Sequence, residues 1–347
     1  MGGGSWDPGA YKSAASTRKA TGVDDFDYDK KVKSGAVSGI HDSLDPKKVA
    51  GPSSPLAGMN VRESRDSDEH PESLPVAVLF DVTGSMGGIP RTLQTKLVKL
   101  MDVIIEKTGV KHPQILVGGI GDSSPRDYRT SGMTDNYPFQ VGQFESDNRF
   151  DEALRNIILE GGGGGQVMES YALAYRFAAY HTATDAWEKR GKKGYLFTMG
   201  DEAPWPTVTV KEIEKIFGVQ ADGDESVEDL VAKAKEKWEV YHLFSLDGSY
   251  PDRNDIKEKW RKLLGERFVL VEDSSLICEI IAGIIYSNEL AASADAAVDA
   301  VGLKGRDASV VKNALVPVTA RSVPSHVAKG TVARPKGSGA APGVSRV

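Results

Sequence analysis

PVAVLF at residues 75–80 runs directly into DVTGSMG at 81–87. Six apolar residues without a polar break describe a strand buried on both faces, the pattern of a parallel sheet covered on either side. Outward from this stretch the sequence keeps alternating. Residues 90–108 place Leu93, Leu97, Leu100 and Ile104 at helical spacing, with Pro90 suited to a first turn. ILVGGI (115–120), YLFTM (195–199), VYHLFSL (240–246) and FVLV (268–271) read as further strands, and residues 139–144 as a short edge strand. Helical patterns fill 147–159, 169–181, 211–217, 227–238, 256–264 and 276–286. Strands alternating with helices of this length predict an α/β domain, a doubly wound and mostly parallel sheet with helices on both faces.

Composition sets the boundaries. The chain has 347 residues and a formal net charge of −6. Residues 1–73 carry 10 Lys/Arg against 12 Asp/Glu, are rich in Gly, Ser, Asp and Lys, and lack apolar runs. They are expected to form an extended or disordered N-terminal arm. Residues 74–290 are the patterned α/β domain, and 291–347 an Ala-rich and then basic C-terminal tail. The strongly acidic middle of the chain excludes a nucleic-acid surface there, since phosphate neutralisation needs clustered Lys/Arg; only the basic tail offers one. No run of 18 apolar residues exists to span a membrane, and Met1–Trp6 has neither the basic nor the apolar region of a signal peptide. The single cysteine, Cys278, excludes an internal disulfide and a cysteine-built zinc site. A cytoplasmic protein is expected, or a virion component if phage-encoded.

In a doubly wound sheet, ligands sit outside the carboxyl ends of the strands. Three of those ends carry an aspartate: Asp81-Val82-Thr83-Gly84-Ser85, Gly121-Asp122-Ser123-Ser124 and Gly200-Asp201-Glu202. A loop that leaves a strand and curls into a helix can aim residues 81, 83 and 85 at one centre. Carboxylates and hydroxyls converging there would suit a hard divalent cation. The plainer reading is that these residues cap helices and begin turns. Residues 161–165, five consecutive glycines before Gln166, let backbone pass close to such a centre or else form an anion-binding nest. No Lys-Ser/Thr follows them, so they are not a P-loop.

The motif Asp81-Val82-Thr83-Gly84-Ser85-Met86 after an apolar strand, with Thr198-Met199-Gly200-Asp201 further on, resembles the von Willebrand factor A (VWA) domains. The resemblance runs from about residue 74 to 288 and is nearer to prokaryotic or phage-type intracellular members than to integrin-type ones. It implies a metal-ion-dependent adhesion site (MIDAS) in which Asp81, Thr83, Ser85 and Asp201, with Asp122 beside them, hold Mg²⁺, with Mn²⁺ or Ca²⁺ as alternatives. Where many members supply a threonine after a glycine pair, this chain has Gly163-Gly164-Gly165-Gln166, so Gln166, Asp122, Glu169 or water takes that place. An acidic residue of a protein partner then completes the cation at a rim formed by Met86, Gly164, Gly165, Gln166, Glu202 and Trp205. The resemblance permits an adaptor role beside a MoxR-type AAA+ ATPase.

Two other functions fit parts of the same sequence. Asp81 followed by Gly84-Ser85, with a later Gly200-Asp201, is similar to haloacid-dehalogenase-type phosphatases, in which Asp81 would be the nucleophile. That chemistry needs a lysine, and none sits at an obvious strand end. It usually also has a second acid several residues after the Gly-Asp pair, whereas Glu202 is adjacent to Asp201 and Ala203-Pro204-Trp205-Pro206 contains no acid. Alternatively, the long arms would hold the protein among neighbouring subunits of a large assembly such as a virion. The expectation is a metal-dependent protein-binding module and not an enzyme.

Overall fold

The computed structural model describes residues 4–23, 27–48, 61–123, 137–162 and 167–319. Its central sheet has six strands: β1 Leu74–Asp81, β2 Pro113–Ile120, β3 Phe139–Val141, β4 Gly194–Gly200, β5 Trp238–Ser245 and β6 Phe268–Val271. Their order is β6-β5-β4-β1-β2-β3. All pairs are parallel except β2 with the edge strand β3. The strand order reverses between β1 and β4, and there Phe80 pairs with Met199, so Asp81 and Asp201 emerge side by side. The doubly wound α/β reading is the observed architecture.

Thirteen helices accompany the sheet among the described residues. The first four are α1 Pro8–Ala20, α2 Asp27–Lys33, α3 Ile89–Leu97 and α4 Leu100–Lys107. Next come α5 Arg149–Arg155, α6 Tyr171–Tyr180, α7 Asp185–Arg190, α8 Val210–Phe217, α9 Val227–Lys237 and α10 Asn254–Leu264. Helices α11 Ile277–Leu290, α12 Ala294–Val301 and α13 Gly305–Thr319 end the described chain. Alternate residues of β1 serve opposite cores. Val76, Val78 and Phe80 join α3, α4 and α11, whereas Ala77 and Leu79 join α6, α8, α9 and α10. A strand with core on both sides has no polar face, which is why PVAVLF shows no alternation.

Three parts differ from the sequence reading. Residues 90–108 form two helices, because the Lys99 N–H bonds back three residues to Lys96 O and tightens the turn between α3 and α4. Residues 1–73 are not simply an extended arm. They carry α1, α2 and a strand, Arg62–Ser64, paired in parallel with Thr182–Thr184. This segment needs no core of its own because it borrows the domain's. Leu44 is buried in the main core, and Arg62, 2% exposed, donates to the backbone carbonyls of Gly142 (3.1 Å), Asp45 (2.8 Å) and Lys48. The Ala-rich stretch after 290 is likewise part of the domain. Ala294, Ala297, Val298, Val311 and Leu315 pack on α11, where a Cβ at Gly283 would stand 2.7 Å from Leu315. The basic tail beyond 319 lies outside the described residues.

Cys278 is a buried thiol. It donates to Lys96 O at 3.0 Å, and burial pushes its pKa up, away from reactivity. Among the described residues no helix is long and apolar enough to cross a membrane.

Candidate metal centre

Asp81, fully buried at the tip of β1, anchors the site. Its Oδ1 accepts the Thr83 N–H at 2.8 Å and the Thr83 hydroxyl at 2.6 Å. Its Oδ2 accepts the Tyr171 hydroxyl at 2.6 Å. The Thr83 and Ser85 hydroxyl oxygens stand 3.2 Å apart, and Ser85 Oγ donates to Asp201 Oδ1 at 2.9 Å. Asp201 Oδ2 in turn accepts the Ser249 N–H at 2.6 Å, and the Ser249 hydroxyl bonds the Ser85 carbonyl. A single chain of contacts thus crosses the switch point from Tyr171 through Asp81, Thr83, Ser85 and Asp201 to Ser249. The plainer capping reading fails for Thr83. Its side chain makes no cap hydrogen bond, and the residue before α3 is Gly88.

Glycines make room for this arrangement. A Cβ at Gly200 would lie 1.7 Å from the Tyr171 hydroxyl, and one at Gly248 2.5 Å from Asp201 Oδ2. At the start of the glycine run, Gly161 has φ +64° and its N–H donates to Val82 O at 3.0 Å, while Gly162 O accepts the Gly84 N–H. Glycine here serves close backbone approach to the motif. The buried carboxylates of Glu160 and Glu169 nearby oppose the alternative of an anion-binding nest. Gly164, Gly165 and Gln166 lie outside the described residues.

Around this centre stand further carboxylates. Asp122, Glu160, Glu169 and Glu202 are all buried, and among the described residues Glu160 Oε2 and Glu169 Oε2 have no hydrogen-bond partner. Burial, and then the charge of neighbouring carboxylates, pushes Asp81 up to about 7, Glu202 and Glu160 up to about 8, and Glu169 well above its ordinary value. Burial also raises Asp201, against the hydrogen bonds from Ser85 and the backbone. The principal groups acting on Asp81 are two hydroxyls, a backbone N–H and the Asp201 carboxylate, none of them cationic.

The donor chemistry suits a hard divalent cation: two carboxylates and two hydroxyls, all oxygen. Asp81, Thr83, Ser85 and Asp201 are the residues that would hold it. Among the described residues, no three His, Cys, Asp or Glu side chains form a metal cage of their own.

The remaining predicted residues divide. Asp122 accepts the Trp205 indole N–H at 3.0 Å and so braces the rim. Trp205, half-buried, also donates its backbone N–H to Glu169 O at 3.1 Å, next to the short parallel ladder of Met168–Glu169 with Ala203–Pro204. Met86 is not at the rim. The 3₁₀ turn Gly84–Met86 directs it into the core, where it is 1% exposed. Glu202 is at the site but only 5% exposed. Tyr171 and Ser249 were not among the predicted residues. Tyr171 opens an apolar helix and reads as core, and the only signal for Ser249 was its place after Asp247-Gly248, just beyond β5.

No protein-family model and no curated protein matches the chain in sequence. Solved structures with similarity to it include the pilus adhesin SpaC from Lactobacillus rhamnosus GG, in its open conformation, at 11% identity and a TM-score of 0.43 over 65% of this chain. Another is proximal thread matrix protein 1 from the mussel byssus, at 12% identity and a TM-score of 0.39 over 62%. The mussel protein is also known with a zinc-occupied MIDAS motif, at 11% identity and a TM-score of 0.37. The chain spans 31% of the adhesin and 45% of the mussel protein. What the chain itself displays is an α/β fold whose switch point joins Asp81, Thr83, Ser85 and Asp201 in one hydrogen-bonded set.

Proposed function

We propose that this chain is a metal-dependent protein-binding module of the VWA type. The observation that carries the reading is the hydrogen-bonded chain from Asp81 through Thr83 and Ser85 to Asp201, at the one place where the strand order reverses. Mg²⁺ is the proposed cation, with Mn²⁺ or Ca²⁺ as alternatives. The protein supplies two buried carboxylates and two hydroxyls, and an acidic residue of a partner supplies a further oxygen. Tyr171 and Ser249 position Asp81 and Asp201 by hydrogen bonds. A MoxR-type AAA+ ATPase and the neighbouring subunits of an assembly are the partner classes proposed, in a cytoplasmic or virion setting.

The phosphatase alternative is the weaker one. Both Asp81 oxygens accept hydrogen bonds and the residue is fully buried, a poor setting for a nucleophile. The test is Mn²⁺ binding followed by electron paramagnetic resonance. Wild type should remove free Mn²⁺ with a one-site stoichiometry, and Ser85→Ala and Asp81→Asn should weaken that binding at least tenfold. Equal binding by all three proteins would move the site elsewhere.

A further inference from the structure

A groove of about 500 Å³ opens between α9 and α10. Its apolar lining comes from Val231 and Ala232 of α9, Leu263 of α10, and Met168, Pro204 and Pro206 of the rim segments. Three lysines, Lys235, Lys259 and Lys262, also line it, against one acid, Glu228. Lys235 is tied to Leu263 O at 3.2 Å, whereas Lys259 and Lys262 are exposed. On a chain with a net charge of −6, this is a local reversal of sign over an apolar floor. Helices α9 and α10 each lead into a parallel strand, β5 and β6, so they run side by side in the same direction. From Val227 to Lys235 the α9 wall is about 12 Å long at 1.5 Å per residue, room for about two turns of a bound helix.

The geometry points to a docking groove for an acidic, apolar-anchored peptide segment of a partner protein, its apolar side chains on the Val231–Leu263 floor and its carboxylates at Lys259 and Lys262. Charge complementarity selects this occupant. The chain's own C-terminal residues 320–347 carry five Lys/Arg and no Asp or Glu, a charge that does not complement the groove. No aromatic side chain is among the lining residues, so nothing there stacks nucleic-acid bases. The groove reaches the metal-site rim at Met168 and Pro204, each next in sequence to or paired beside Glu169, yet its own chemistry uses no metal ion. The inference therefore stands apart from the metal reading.

The test is a titration of the ¹⁵N-labelled full chain, in EDTA, with an amidated synthetic peptide of leucine pairs alternating with glutamates. Saturable shifts should be confined to Met168, Trp205 and residues 227–235 and 259–263. The double variant Lys259→Glu/Lys262→Glu should weaken binding at least tenfold, and the distant Lys12→Glu should leave it unchanged. Four results would each overturn the assignment: no saturable shift at millimolar peptide, shifts elsewhere, equal binding by the double variant, or equally tight binding of an oligothymidylate at the same residues. Because EDTA is present throughout, failure here leaves the metal reading untouched.

Discussion

Replacing Asp81 by Asn should reverse its effect on stability when a divalent cation is added. The substitution keeps the shape of the side chain. An asparagine Oδ1 can still accept the Thr83 N–H and hydroxyl, now 2.8 and 2.6 Å from Asp81 Oδ1, and its NH₂ can donate to the Tyr171 oxygen. What is removed is a fully buried charge that faces Asp201, Glu169 and Glu202. Without a cation, relief of that desolvation and repulsion should stabilise the variant by about 1–3 kcal/mol. For a domain of this size each kcal/mol moves the melting point by roughly 2–4 °C, so Asp81→Asn should melt roughly 2–12 °C above wild type in EDTA. With Mg²⁺ at about one thousand times its dissociation constant, wild type gains about 4.1 kcal/mol by linkage and the variant little. The order of melting points should therefore invert between the two buffers, read by differential scanning calorimetry at constant ionic strength. The same order in both buffers, or an equal gain from Mg²⁺ in the variant, would refute the reasoning.

Three further outcomes follow from the packing. Gly200→Ala places a Cβ where the Tyr171 hydroxyl now sits, 1.7 Å away, and should cost about 1–3 kcal/mol in urea unfolding; an unchanged midpoint would show that the tyrosine can leave freely. Asp29→Ala removes the acceptor of the Leu159 N–H, at 3.0 Å, from a residue 1% exposed. It should cost about 1–3 kcal/mol and accelerate hydrogen exchange at Leu159, and unchanged protection there would separate α2 from the rim. Leu315→Ala opens a cavity against α11 and should cost about 2–5 kcal/mol, whereas a neutral effect would return α13 to the status of a tail.

The core of the fold was legible because its strands are buried on both faces and its helices on one. PVAVLF, ILVGGI and FVLV announce themselves by composition, and Leu93, Leu97 and Ile104 by spacing. The N-terminal segment was illegible for the opposite reason. Its strand is Arg62-Glu63-Ser64, three polar residues that are nonetheless buried, held by carbonyl oxygens and by the Arg65–Glu63 ion pair. Period and hydropathy carry no trace of a strand whose burial is satisfied by hydrogen bonds to distant backbone. The alanines of α12 misled in another way. Small side chains look like a poor core when counted alone, yet they let a helix approach α11 closely, and Gly283 shows the same fit from the other side.

The site divides along the same line. The convergence of Asp81, Thr83, Ser85 and Asp201 could be read from sequence because the carboxyl ends of the strands meet at the switch point of a doubly wound sheet, and the loop after β1 carries its oxygens at alternate positions. Met86 was misplaced because spacing in a loop does not say which way a 3₁₀ turn rotates its third residue. Tyr171 was missed because its hydroxyl is the only polar feature of a residue otherwise buried like its neighbours in α6. Its role depends on a vacancy in a strand, the missing side chain of Gly200, and that is a fact about two segments 29 positions apart. Positioning residues of this kind become visible only once the fold has brought the two segments together. The pairing of a buried hydroxyl with a glycine that admits it is the pattern to seek at Asp201 as well, where Gly248 clears the path for the Ser249 N–H.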